Sequence, residues 1–109
     1  MHLNYWEKLI VYYGYNLYLL RDDESALKLI NGYALELCRG SNLYMANIHR
    51  LLGLIYLRQA EIKKAQESFK LAESYFEQAH STYGIALCKF SIGYVFRSNF
   101  SELLNEDSA

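Results

Sequence analysis

The chain of 109 residues predicts an all-α fold of about five helices, paired as antiparallel hairpins that stack on one another. Three observations predict it. There is no proline, and proline inside a helix removes an amide donor and costs about 3 kcal/mol, so helical patterns run uninterrupted. Apolar residues recur at three- and four-residue intervals through most of the chain. Gly14, Gly53 and Gly93 stand 39 and then 40 positions apart, and a fixed period of that size marks an array of repeated hairpins.

From Leu3 to about Leu20, Trp6, Leu9, Ile10, Tyr13, Gly14 and Leu17 line one broad face, predicting a first helix buried on more than one side. The run Arg21 to Ser25 breaks the pattern and supplies an Asp that can accept from the free amides opening the next helix. That second helix is expected from about Glu24 to Cys38, with Ala26, Leu27, Ile30, Ala34 and Leu37 inward and Gly32 allowing close packing at its middle. Gly40 followed by Ser41 and Asn42 is a stop-and-restart signal.

A third helix spans about Leu43 to Arg58 and a fourth about Glu61 to His80, broken around Gln59 and Ala60. Leu52, Gly53 and Tyr56 on one face Ala65, Phe69 and Ala72 on the other, so small residues stand where the two helices must approach and large ones flank them. Lys63 with Glu67 and Lys70 with Glu73 place opposite charges on one solvated surface. Ser81 and Thr82 cap a fifth helix to about Arg97, in which Ile85, Ala86, Cys88, Phe90, Ile92, Gly93, Val95 and Phe96 leave little polar surface. The expected organisation is one domain over residues 1–97, in units of about 3–39, 43–80 and an incomplete 82–97. A polar, acidic tail over 98–109 follows, with at most a helical turn at Leu103 and Leu104.

Composition narrows the function classes. A 52% hydrophobic content with 21% charge is that of a globular chain. Eleven basic and twelve acidic residues are interspersed for a net charge of -1, leaving no electrostatic footprint for nucleic acid or an anionic bilayer. The apolar N-terminal run is interrupted by Glu7 and Lys8 and falls short of the ~20 residues a spanning helix needs. Cys38 and Cys88, in apolar surroundings, suit buried reduced thiols in a cytoplasmic protein, although spacing alone leaves a disulfide open.

Read in register, the units resemble the tetratricopeptide repeat family. The middle unit carries the resemblance at Leu52, Gly53, Tyr56, Ala65, Phe69 and Ala72; the first matches more loosely at Gly14, Leu17, Ala26 and Ile30, and the third at Ile92, Gly93 and Phe96. His49 and Glu77 depart from the family pattern, which expects a large apolar residue and a proline there. A period near 40 is similar to the family's longer-helix variants, found in polarity and motor adaptors and in bacterial regulator sensor regions.

The resemblance implies a short right-handed solenoid and a non-catalytic scaffold that binds a peptide or protein segment in a concave groove lined by each unit's first helix. Carried over by position, that groove presents Tyr15 and Tyr18 with Lys8, Val11 and Leu19; then Asn47, Arg50, Leu54, Leu57 and Arg58; then Phe90, Tyr94 and Arg97 with Leu87. Its aromatic and arginine content fits an apolar or amphipathic segment bearing carboxylates. Val11 and Tyr15 replace two residues of the family's clamp for acidic C-termini, so that ligand is not expected.

Other chemistry finds little support. Glu77 and His80 form half of a di-iron helix motif whose second half is missing, because Ala46 stands three residues before His49. Neither cysteine has a Cys or His at zinc-ligand spacing, and no phosphate-cradling glycine loop or nucleophile motif is present. No cofactor, metal or catalytic residue is therefore expected. The eleven tyrosines fall at helical spacing and read as packing rather than a base-stacking site. The alternative reading is structural: a self-associating subunit closed by another copy through the apolar last helix, or a fragment of a larger repeat protein. A peptide-sensing half of a bacterial regulator is the third reading, which requires a DNA-binding domain outside these residues.

Overall fold

The computed structural model describes the backbone of residues 3–108 and the side chains of 5–97. Over these residues the chain is all-helical, with five helices and no strand. They are α1 (Leu3–Leu19), α2 (23–37), α3 (Asn42–Arg58), α4 (Ile62–Gln78) and α5 (Thr82–Ser108). Three helices open on the side chains that the sequence supplies for the purpose. Asp22 Oδ1 accepts from the Ser25 amide at 3.2 Å, Ser41 Oγ from Tyr44 at 3.3 Å, and Ser81 Oγ from Gly84 at 3.1 Å. Hydrogen bonding from Ser25 holds the Asp22 carboxyl below its usual pKa.

Three other ends share one closing device. After α1, α3 and α4 the chain turns with a residue in the left-handed conformation: Arg21 (φ 64°), Ala60 (φ 62°) and His80 (φ 55°). In each case two amides reach back to free carbonyls in the same pattern: Asp22 to Leu17 and Arg21 to Tyr18, Glu61 to Tyr56 and Ala60 to Leu57, Ser81 to Phe76 and His80 to Glu77. This is the Schellman arrangement, usually built on glycine. The repeated motif reverses the chain in the space of three residues and sets α3 directly against α4, and α4 against α5.

Core residues collect where the helices meet. Val11, Ala26, Ile30, Ala34, Cys38, Ile48, Leu51 and Ile55 join α1, α2 and α3; Ala46, Ala72, Phe76 and Cys88 join α3, α4 and α5; Ala65, Phe69 and Val95 join α4 and α5. The expected seam of α3 and α4 is present. Ala65, Phe69 and Ala72 are wholly buried, and a Cβ on Gly53 would lie 2.6 Å from the Phe69 ring. Burying a side chain such as Phe69 is worth about 1.5–3 kcal/mol, and the absent Cβ lets it seat fully. The two thiols are unbridged and sit in separate clusters. Among the described residues no helix is long and apolar enough to cross a membrane.

Several expectations are corrected. The buried face of α1 is Glu7, Val11 and Gly14, whereas Trp6, Leu9 and Tyr13 are exposed, because α2 and α3 cover one side of α1 and nothing described covers the other. Gly32 makes no close contact; it lies exposed in a π-helical turn, Ile30–Ala34, that widens α2 at its middle. Gly93 also has open space beside it, and Gly84, unremarked in the sequence, is instead the glycine of α5 that the Phe76 ring overlies. Ala86, Phe90 and Phe96 give α5 an exposed apolar flank, Phe90 standing open as expected of a groove residue. Glu73 pairs with Lys89 across α4 and α5 at 3.2 Å rather than with Lys70 on its own helix. The last helix continues through the segment expected to be a polar tail, reaching Ser108.

Candidate functional site

Leu43, Asn47, Arg50, Leu54 and Leu57 recur along α3 at alternating intervals of four and three, so they form one stripe on a single helix face. Two hollows lie along it. The larger, about 450 Å³, is lined by Lys8, Val11, Tyr12 and Tyr15 of α1 with Leu43, Tyr44 and Asn47 of α3. The second, about 220 Å³, is lined by Leu54 and Leu57 of α3, Phe69 of α4, and Phe90, Ser91 and Tyr94 of α5. With 1.5 Å of rise per residue, their centres on α3 are separated by roughly 16 Å.

Between the hollows stands a polar bridge. The Tyr15 hydroxyl donates to the Asn47 carbonyl at 3.1 Å and accepts from Arg50 Nη1 at 3.0 Å, while the guanidinium lies 5.9 Å from the Tyr15 ring centre. Burial pushes the Tyr15 hydroxyl above its usual pKa, and the adjacent Arg50 charge opposes this only in part. A hydroxyl already donating and accepting in this way is a structural tie between α1 and α3, not an acid. Arg50 Nε is buried with no acceptor among the described residues.

Arg58 and Tyr18 are committed elsewhere. Arg58 forms a two-pronged pair with Asp23, donates from Nη2 to the Tyr18 carbonyl at 2.7 Å, and covers the Tyr18 ring at 3.9 Å from its centre. The sequence expectation of ten partner-facing residues therefore divides. Tyr15 and Asn47 line the first hollow; Leu54, Leu57, Phe90 and Tyr94 line the second; Arg50 bridges them; Tyr18 and Arg58 lock α1 and α2 to the end of α3; Arg97 is exposed on α5.

No protein-family model matches this chain, and no curated protein or solved structure matches it either. The site therefore rests on its own geometry.

Sequence reasoning missed Tyr12, Leu43, Tyr44, Phe69 and Ser91 as lining residues. Leu43 was within reach, since it precedes Asn47 by one turn on the same stripe. His49 stacks on Tyr75 with ring centres 5.6 Å apart and planes 5° from parallel, and burial lowers its pKa. Among the described residues no group of three or more His, Cys, Asp or Glu side chains is placed to hold a metal ion. Burial pushes the Cys38 and Cys88 thiols up to about 11, so both are protonated and poorly nucleophilic at neutral pH.

Proposed function

We propose that this chain is a non-catalytic interaction module, a short stack of helical hairpins akin to tetratricopeptide repeats, which receives a peptide or helix of a partner protein along the α3 stripe. The observation that carries the reading is the pair of hollows on one helix face, each walled by a different neighbouring helix. Both have the mostly apolar lining that recognition sites use, with the polar groups gathered between them. Preformed walls mean that binding need not order the receptor, so a few desolvated anchors can supply the affinity. Phe90 and Tyr94 are the natural anchors, being 69% and 49% exposed beside an apolar hollow. The two protonated, unbridged thiols suit a reducing, cytoplasmic setting.

The test is a displayed peptide library selected on the wild-type chain, with the selected peptides then titrated against Leu54→Ala, Phe90→Ala and Tyr94→Ala. Each anchor substitution is expected to weaken binding at least tenfold while helix content stays unchanged. Peptides that bind all three variants as they bind wild type would refute the assignment of the stripe. A second reading, assembly with further copies of the chain, is favoured by uncovered aromatic side chains on both terminal helices, with Tyr13 56% and Phe96 63% exposed.

A further inference from the structure

α1 presents a second exposed flank that the stripe does not use. Its residues facing the first hollow are Lys8, Val11, Tyr12 and Tyr15. Taken together, Trp6, Leu9 and Tyr13 centre roughly 140° around the helix from that set, at 3.6 residues per turn. They therefore look away from the stripe. This flank is not flat. One hollow of about 330 Å³ runs between Trp6, Leu9, Tyr13, Leu29 and Leu37, and another of about 240 Å³ continues it past Leu17, Lys28 and Tyr33. Tyr13 and Leu29 line both, so the two are one continuous surface shared by α1 and α2.

Trp6, Leu9, Tyr13 and Tyr33 are between 41% and 68% exposed there. At 150–250 Å² per aromatic side chain this is on the order of 400 Å² of exposed apolar surface. That is within the range of the largest patch a lone soluble chain carries. With the half-buried leucines between them, it is more than half of the roughly 800 Å² that each partner contributes to a stable interface.

We infer that this α1–α2 face is a dimerisation surface, and that its occupant is the same face of a second copy. Charge selects the occupant. Lys28 is the one side chain lining either hollow that is charged at neutral pH, and it is paired with Glu24 on its own helix at 3.3 Å. The surface therefore carries no net charge to repel its own copy and none to select an oppositely charged partner. Shape selects it too, because the face supplies both projecting rings and hollows to take them. In a two-fold interface each such pair is made twice. With two copies of α1 antiparallel about Tyr13, Leu9 of one copy comes opposite Leu17 of the other, and Trp6 opposite the exposed Leu20 just past the end of α1. Because the residues of α1 that face the stripe point in another direction, both copies keep it open, and the dimer offers two binding furrows.

Trp6 is the sole tryptophan of the chain, so its emission reports this contact without any substitution. Dilution from about 100 μM to about 0.1 μM brackets micromolar dimer constants. The expected result is a dimer mass by light scattering that falls to the monomer on dilution, with Trp6 emission moving to longer wavelength in step. Tyr13→Glu, on an exposed position, is expected to be monomeric throughout with unchanged helical circular dichroism, and Phe96→Glu on α5 to remain dimeric. A monomer at 100 μM overturns the inference, as does any assembly that survives Tyr13→Glu or is dissolved by Phe96→Glu.

Discussion

Arg58, the last residue of α3, grips Asp23, the first of α2, through two prongs, across 35 residues of sequence. Their side chains are 25% and 19% exposed, and the guanidinium also holds the Tyr18 carbonyl at the end of α1. One side chain therefore ties three helices where the first turn of the chain meets the second. A fork of donors is needed for this geometry, which lysine cannot reproduce.

Asp23→Ala should accordingly destabilise the chain by about 1.5–3 kcal/mol, the range for a hydrogen-bonded charge left without its partner. Arg58→Lys should recover less than half of what Arg58→Ala loses. Urea unfolding followed by circular dichroism, combined in a double-mutant cycle, measures both. Additive losses from Asp23→Ala and Arg58→Ala would show that the two do not act as a pair.

The glycines separate into two groups with opposite expected signs. Gly53→Ala places a methyl group 2.6 Å from the fully buried Phe69 ring, and Gly84→Ala drives one into Phe76. Overpacking of this kind costs typically 1–3 kcal/mol. At Gly93 and Gly32 nothing lies within 4 Å of an added Cβ and neither φ is positive. Alanine there should stabilise by about 0.5–1 kcal/mol, as in a helix interior generally. Unfolding midpoints of the four single variants decide the matter, and a destabilising Gly93→Ala would mean that α5 has a close neighbour at that position.

These glycines also show what was legible in the sequence. The seam of α3 and α4 could be read because both of its sides are written nearby in the chain, small residues against Phe69. The five helices and their polar starts followed from periodicity and from Asp22, Ser41 and Ser81. Gly93 carries the same local pattern as Gly53, but no described helix packs on that side of α5, and pattern alone does not reveal a missing neighbour. For the same reason Trp6, Leu9 and Tyr13 read as core and stand exposed. Near the stripe, position within the repeat pattern named residues that line the two hollows, such as Asn47, Leu54 and Leu57, yet could not show that Arg58 is spent on Asp23, a pairing set by tertiary geometry.

The turn at Ala60 offers a stabilising substitution. Its φ of 62° is a conformation that costs an L-residue with a side chain roughly 1–2 kcal/mol relative to a right-handed one. Glycine relieves that strain while adding freedom to the unfolded chain, so Ala60→Gly should gain about 0.5–1 kcal/mol net. Ala60→Val should lose at least as much, because branching at Cβ worsens the strain. Thermal melts of the two variants test the pair of signs, and equal midpoints would show that the turn relaxes without the Schellman bonds.

Stability should fall on both sides of neutrality, for separate reasons. Burial lowers the pKa of His49 in the fold, so as pH falls through the unfolded value near 6.5 the unfolded chain takes up the proton first and gains. Replacing the imidazole by a ring that cannot titrate, His49→Phe, should flatten this acid limb while keeping the stack on Tyr75. On the alkaline side the order reverses. Cys38 and Cys88 are held up to about 11 by burial, so between the unfolded thiol value of about 8.5 and 11 the unfolded chain ionises first. Stability present below that window is lost as pH rises through it. The Cys38→Ala, Cys88→Ala double variant should show a shallower alkaline limb, with a remaining slope from the Tyr15 hydroxyl, which burial also raises. Urea midpoints measured from pH 5 to 10.5 give both limbs. A double-cysteine variant with an undiminished alkaline slope would show that the thiols ionise as readily in the fold as outside it.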